Sequence, residues 1–259
     1  MGKNIKILLL IWVIIFGFFG SEVWAKGFDH SHSGFAPLLK SNVKSGLFDY
    51  KSLAKDRSSL DTYLKTLQSV PESEYNTFSE KQKIAFLINA YNAFTLDLIL
   101  KNYPVASIGD IGGPVRLINL ARGTPWKSYT FPLLGANRNL DWIEHSKLRV
   151  DFKEPRIHFA INCASIGCPA LRPEPYTATK LEAQLGDALV TFLKDRSKNR
   201  YDPEKNRLVL SPIFDWFASD FQKHSGSVLE FVKPYFPIQD PGSTKIEYSN
   251  YDWLLNEVK

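Results

Sequence analysis

The longest apolar run beyond the N-terminus is IAFLINAYNAFTLDLIL, residues 84–100. It is too long for one strand and predicts a buried helix, opened by Ser79 and Gln82 at capping-box spacing. Asn89 and Asn92 lie three residues apart within it, so both amides share one side of the helix. Buried amides cost free energy unless they are bonded. They therefore either fix the shape of an adjacent loop or hold a substrate or a catalytic imidazole. Asp61 to Val70 predicts a second helix, with Tyr63, Leu64 and Leu67 inward and a stop before Pro71.

Other segments are shorter. LFDYKSL, within residues 43–57, fits strand or turn, and Lys127 to Leu134 predicts a strand turning at GANRN after a turn-rich stretch that begins near Ser107. Asn139 or Asp141 can cap a short helix, LDWIEHSKLR, on which Glu144, His145 and Arg149 are the polar candidates. RIHFAIN, residues 156–162, alternates and then becomes continuously apolar, which predicts a central strand followed by the loop CASIGCPALRPEPY. Thr179 and Glu182 repeat the capping-box spacing ahead of KLEAQLGDALVTFLKDR. RYDPEKNRLVLSPIF reads as a hairpin, FDWFASDFQK and SVLEFVKPYF as short helices, and KIEYSNYDW as a last strand. Helices and strands mix without regular alternation. The expected fold is α+β, a single compact domain with a mixed sheet and several helices packed on it.

Residues 1–25 combine two lysines, an apolar run from Ile7 to Phe19 and small residues at Val23 and Ala25. That pattern predicts a signal peptide cleaved after Ala25 and an exported, periplasmic chain. An uncleaved anchor is the alternative, favoured by the bulky Trp24 and opposed by a run shorter than the roughly 20 residues of a span. Residues 26–42, with His30 and His32, read as an irregular leader, and residues 43–259 as the globular domain. The HSH motif lacks a carboxylate or cysteine cluster to complete a tetrahedral set, so no metal is expected. The net charge of +5 falls by one when Lys3, Lys6 and Glu22 are removed. Its cations are scattered among acids, so no basic stripe for nucleic acid is present. A composition 44% hydrophobic and 14% aromatic is enough for one substantial core.

Chemistry concentrates in HFAINCASIGCPAL, residues 158–171, which holds both cysteines, Cys163 and Cys168. In an exported chain with two cysteines, a disulfide is the default. A redox pair more usually has two intervening residues and a thioredoxin frame, neither of which is present. A catalytic thiol is the sharper alternative. It requires an imidazole beside Cys163 and a group to hold that imidazole. His158 and His145 are both candidates for the base, with Glu144, Asn89 or Asn92 as orienting or oxyanion groups and Arg149 and Arg172 as binding residues. On a continuous strand His158 and Cys163 would face opposite sides, so a direct pair requires the strand to end by about Asn162. No cofactor is called for. The opposing class is a non-enzymatic envelope module with a stapled loop, whose aromatics Tyr176, Trp216, Tyr251 and Trp253 bind a peptide, protein or glycan.

FLINAYNAFTL, the IEH and LR of LDWIEHSKLR, HFAINCASIGCPALR with YTA following, LSPIFDWFASDF and the final YDWLLN resemble, in this order, the bacterial and plant family known as domain of unknown function 547. The resemblance runs over nearly all of the chain after residue 25. It implies no activity and transfers no catalytic residues. Plant members carry serine at the position of Cys168, so the resemblance singles out Cys163 as the thiol of interest.

Overall fold

The computed structural model describes residues 27–111 and 124–259; the expected signal peptide and part of the turn-rich stretch lie outside the described residues. At the centre is the helix Glu80–Asn102. Its start is a full capping box: Ser79 Oγ accepts from Gln82 N at 3.3 Å, and Gln82 Oε1 accepts from Ser79 N at 2.8 Å. Every residue from Ile84 to Ile99 is buried, so this helix is covered on all sides and has no polar face. Ser58–Gln68 packs along it with Tyr63, Leu64 and Leu67 inward, as the spacing predicts, and starts three residues earlier than expected, burying Leu60 as well.

The architecture is α+β, with the strands among the described residues confined to small sheets. Val43–Lys44 pairs with Leu47–Phe48, and Thr130–Leu133 with Ala136–Asn139, both antiparallel. GANRN is thus largely the return strand of its hairpin, and the turn lies at Leu134 and Gly135. The third sheet is mixed: Arg207–Leu210 pairs antiparallel with Arg200–Asp202 and parallel with Lys245–Tyr248. Two apolar clusters result. The larger surrounds the central helix and includes Phe35, Phe86, Phe94 and Ile143. The smaller joins Phe159, Leu189 and Phe192 of the helix Leu181–Lys194 to Leu208, Phe214, Phe221 and Phe231.

Two expectations are corrected. The segment read as an irregular leader carries the helix Ala36–Asn42 and buries Phe35, Leu38 and Leu39; His32 is buried too, its Nδ1 2.7 Å from the Tyr63 hydroxyl. RIHFAIN is not a strand. Pro155–Phe159 is a 3-10 turn, started by a proline and by Glu154, which accepts from Arg156 N at 3.0 Å. The backbone beyond it bonds to a side chain, Asn92, in place of a neighbouring strand.

Candidate functional site

The cysteine loop is set by asparagines. Asn92 donates to Ala160 O at 3.0 Å and accepts from Asn162 N at 2.8 Å. Asn162 then closes the loop on itself, donating to Pro169 O at 2.7 Å and accepting from Ala164 N at 2.8 Å. Asn256 donates to Asn162 Oδ1 at 3.2 Å and accepts from the Tyr50 hydroxyl at 2.8 Å. Each of these amides is buried, and each bond replaces one that water would otherwise make. The ladder holds Ala164 at φ 63°, a left-handed conformation uncommon for a residue with a Cβ. Within this frame Cys163 and Cys168 form a disulfide with Cα atoms 6.2 Å apart.

The disulfide lies in the wall of a cleft of about 250 Å³, shared with Glu144, His145, His158, Trp126, Trp216, Tyr251 and Trp253. Glu144 and His145 come from a π-helical segment, Trp142–Leu148, whose wide turn is closed by Arg149 N donating to Glu144 O. Asn139 Oδ1 starts it by accepting from Trp142 N at 2.8 Å, settling the choice of cap between Asn139 and Asp141. Burial pushes the Glu144 carboxyl up to about 7, against the lowering influence of Arg149 and of a hydrogen bond with Tyr91. Its Oε1 is 4.0 Å from Nδ1 of His158.

His158 is buried and stacks on Phe217 at 3.9 Å. Its Nε2 meets Asp220 Oδ2 at 2.9 Å, while Nδ1 has no hydrogen-bond partner among the described residues. Burial lowers the imidazole's affinity for a proton despite the facing carboxylate. Asp220 is also gripped by Arg149, at 2.6 and 3.1 Å. Burial works to raise its carboxyl, but the bonds from His158 and Arg149 hold it well below the usual carboxylate range. Arg149 Nη1 lies 2.8 Å from His145 Nδ1, which completes a chain from Glu144 through His158, Asp220 and Arg149 to His145.

The family model described as a protein of unknown function, DUF547, matches residues 75–193. That segment belongs to the DUF547 family. Among curated proteins and solved structures none matches the chain. The DUF547 segment supplies the central helix, Glu144, His145, Arg149, His158 and both cysteines. Asp220 and the aromatic wall of Trp216, Tyr251 and Trp253 come from residues beyond the DUF547 match.

The structure brings Cys163, His158, His145 and Glu144 to one cleft. It sends Asn89 and Asn92 elsewhere. Asn89 donates to Tyr176 O at 2.7 Å and accepts from Tyr176 N at 3.0 Å, so both amides brace loops and neither lines the cleft. Arg172 pairs with Asp187 and Glu174, outside the cleft lining. Arg149 acts on Asp220 and His145 and does not line the cleft. Tyr176 is core, whereas Trp216 and Trp253 are 47% and 44% exposed. Sequence reasoning missed Asp220 as the partner of His158, because an aspartate 62 residues away on a short helix resembles any surface acid. The signal that was present is LSPIFDWFASDF, whose second aspartate is Asp220.

Proposed function

We propose that the protein is an exported, thiol-dependent hydrolase or acyl-transferase whose nucleophile, Cys163, is stored in its bond to Cys168. The observation that carries this reading is His158, fixed through Nε2 by Asp220 and unpartnered at Nδ1 among the described residues, in the cleft that Cys163 lines. After an external dithiol or two monothiols have reduced the Cys163–Cys168 bond and left as their own disulfide, the neutral imidazole takes the Cys163 proton and Asp220 steadies the imidazolium. The thiolate then attacks an acyl carbon, and the leaving group departs with a proton from Glu144, whose raised pKa of about 7 leaves a substantial protonated fraction near neutral pH. Water or a second nucleophile releases the acyl group from sulfur. The acyl donor is a peptide, protein or glycan-borne acyl group small enough at its reacting end for this cleft.

The test uses reduced protein. Alkylation of Cys163 followed against pH should give an apparent pKa well below the ordinary value of about 8.5, rising in His158→Ala. An activated ester should leave one acyl group on Cys163, seen by intact mass. Ordinary titration with no acyl adduct would overturn the proposal. The same spectrum tests export, since protein recovered from the periplasm should begin at Lys26.

A second reading has its own support. Trp216 and Trp253 stack at 5.7 Å and stand exposed beside the cleft, as a binding module for peptide or glycan would require. A Cys163→Ser variant that keeps its fold and its biological effect would favour it.

A further inference from the structure

The two sulfurs are surrounded unequally. Both line the cleft, but Cys163 is half-buried whereas Cys168 is 3% exposed. Cys163 N donates to Cys168 Sγ at 3.0 Å. The Tyr251 hydroxyl stands 3.2 Å from each sulfur, and burial keeps that phenol protonated far into the alkaline range. Its position is built. The α-carbon of Gly167 lies flat against the Tyr251 ring, and a Cβ there would come within 2.9 Å of three ring carbons, so glycine is required for the close approach. Trp216 and Trp253 hold the other sides at 4.8 and 4.6 Å.

We propose that this pair is a thiol–disulfide exchange site, with Cys163 the sulfur attacked, Cys168 the leaving sulfur and Tyr251 the hydrogen-bond donor that stabilises the departing thiolate. The proposal goes beyond acyl transfer and does not depend on it. An external thiolate, from a low-molecular-weight or protein thiol, forms a bond to Cys163 Sγ. The Cys163–Cys168 bond breaks and its electron pair leaves on Cys168, which is met by the Cys163 N–H and the Tyr251 O–H. A second thiol attacks the sulfur now bound to Cys163. The products are one disulfide of the external thiol and a reduced Cys163/Cys168 dithiol, so two thiols are oxidised for each protein disulfide reduced. Four intervening residues are unusual for a redox pair. Here one donor aimed at both sulfurs and an asymmetric exposure do what the tighter spacing does elsewhere.

The decisive measurement is the rate at which glutathione reduces the native protein, with Tyr251→Phe as the variant, since phenylalanine keeps the contacts with Trp216, Trp253 and Gly167. Wild type should be reduced without denaturant, and Tyr251→Phe should be slower by about tenfold or more, with the Cys168 thiol of the reduced form titrating at higher pH. Cys168→Ser should accept glutathione from glutathione disulfide onto Cys163 at least about tenfold faster than Cys163→Ser accepts it onto Cys168. Reduction only in denaturant, equal rates for Tyr251→Phe, or faster labelling of Cys168 would each overturn the proposal. The acyl-adduct assay on forcibly reduced protein is unaffected by any of these results, so the two proposals fail separately.

Discussion

Glu144 is the residue whose protonation most directly links site and stability. Its carboxyl, pushed up to about 7 by burial, holds a proton in the native chain that the unfolded chain has already lost. Between its ordinary value near 4.5 and pH 7, the native state therefore binds more protons, and this group's contribution to stability falls as pH rises. His158 works the other way. Its native affinity for protons is lowered by burial, so the unfolded state gains the proton first as pH drops below 6.5, and its contribution grows with pH up to that value. Comparing wild type with Glu144→Gln cancels the His158 slope and isolates the glutamate. The glutamine variant should gain about 2 kcal/mol relative to wild type between pH 5 and pH 8, measured by urea unfolding at a series of pH values. A pH-independent difference would mean that the carboxyl ionises normally.

At the level of elements, the loop from Ala160 to Leu171 is held by side-chain amides, and that explains what the sequence disclosed and what it withheld. The buried helix and its capping box were legible because apolar period and local capping are short-range signals. The spacing of Asn89 and Asn92 correctly placed both on one side, and their loop-bracing role was one of two open readings. RIHFAIN misled because its apolar pattern reports burial, which a 3-10 turn capped by an amide satisfies as well as a strand does. The short helix LDWIEHSKLR was legible but not its wider π-helical turn, and the pairing of His158 with Asp220, 62 residues apart, left no periodic trace. Two substitutions separate the loops. Asn89→Ala and Asn92→Ala should each cost about 2–4 kcal/mol in urea unfolding, since each leaves a buried N–H and C=O unpaired. Only Asn92→Ala should also change the rate at which native Cys163–Cys168 is reduced, because Asn89 braces Tyr176 and not the cysteine loop. Equal effects of both variants on that rate would show that the ladder from Asn92 to Asn256 does not position the sulfurs.

For the molecule as a whole, the site lies where its two apolar clusters meet. Ile157, Ala160 and Ile161 belong to the larger and Phe159 to the smaller, which leaves His158 between them. The C-terminal segment straps the clusters together. From the strand Lys245–Tyr248 it passes Tyr251 and Trp253 in the cleft wall, bonds Leu255 N to Ala106 O and Asn256 N to Ala164 O, and ends with Val258 N on Phe48 O. The disulfide, by contrast, closes a loop with a sequence separation of only 5 and crosses no boundary between clusters. Its removal should therefore weaken the fold without dividing it. Chain entropy for so short a loop gives about 2 kcal/mol, which for a domain of this size lowers Tm by about 4–8 °C. Cys163→Ser/Cys168→Ser should melt in that range as one transition, with tryptophan fluorescence and far-ultraviolet circular dichroism coincident. Trp126, Trp216 and Trp253 report the cleft where the strap runs, whereas the dichroism is dominated by the long helices. Separated transitions would mean that the disulfide, and not the C-terminal strap, couples the two clusters.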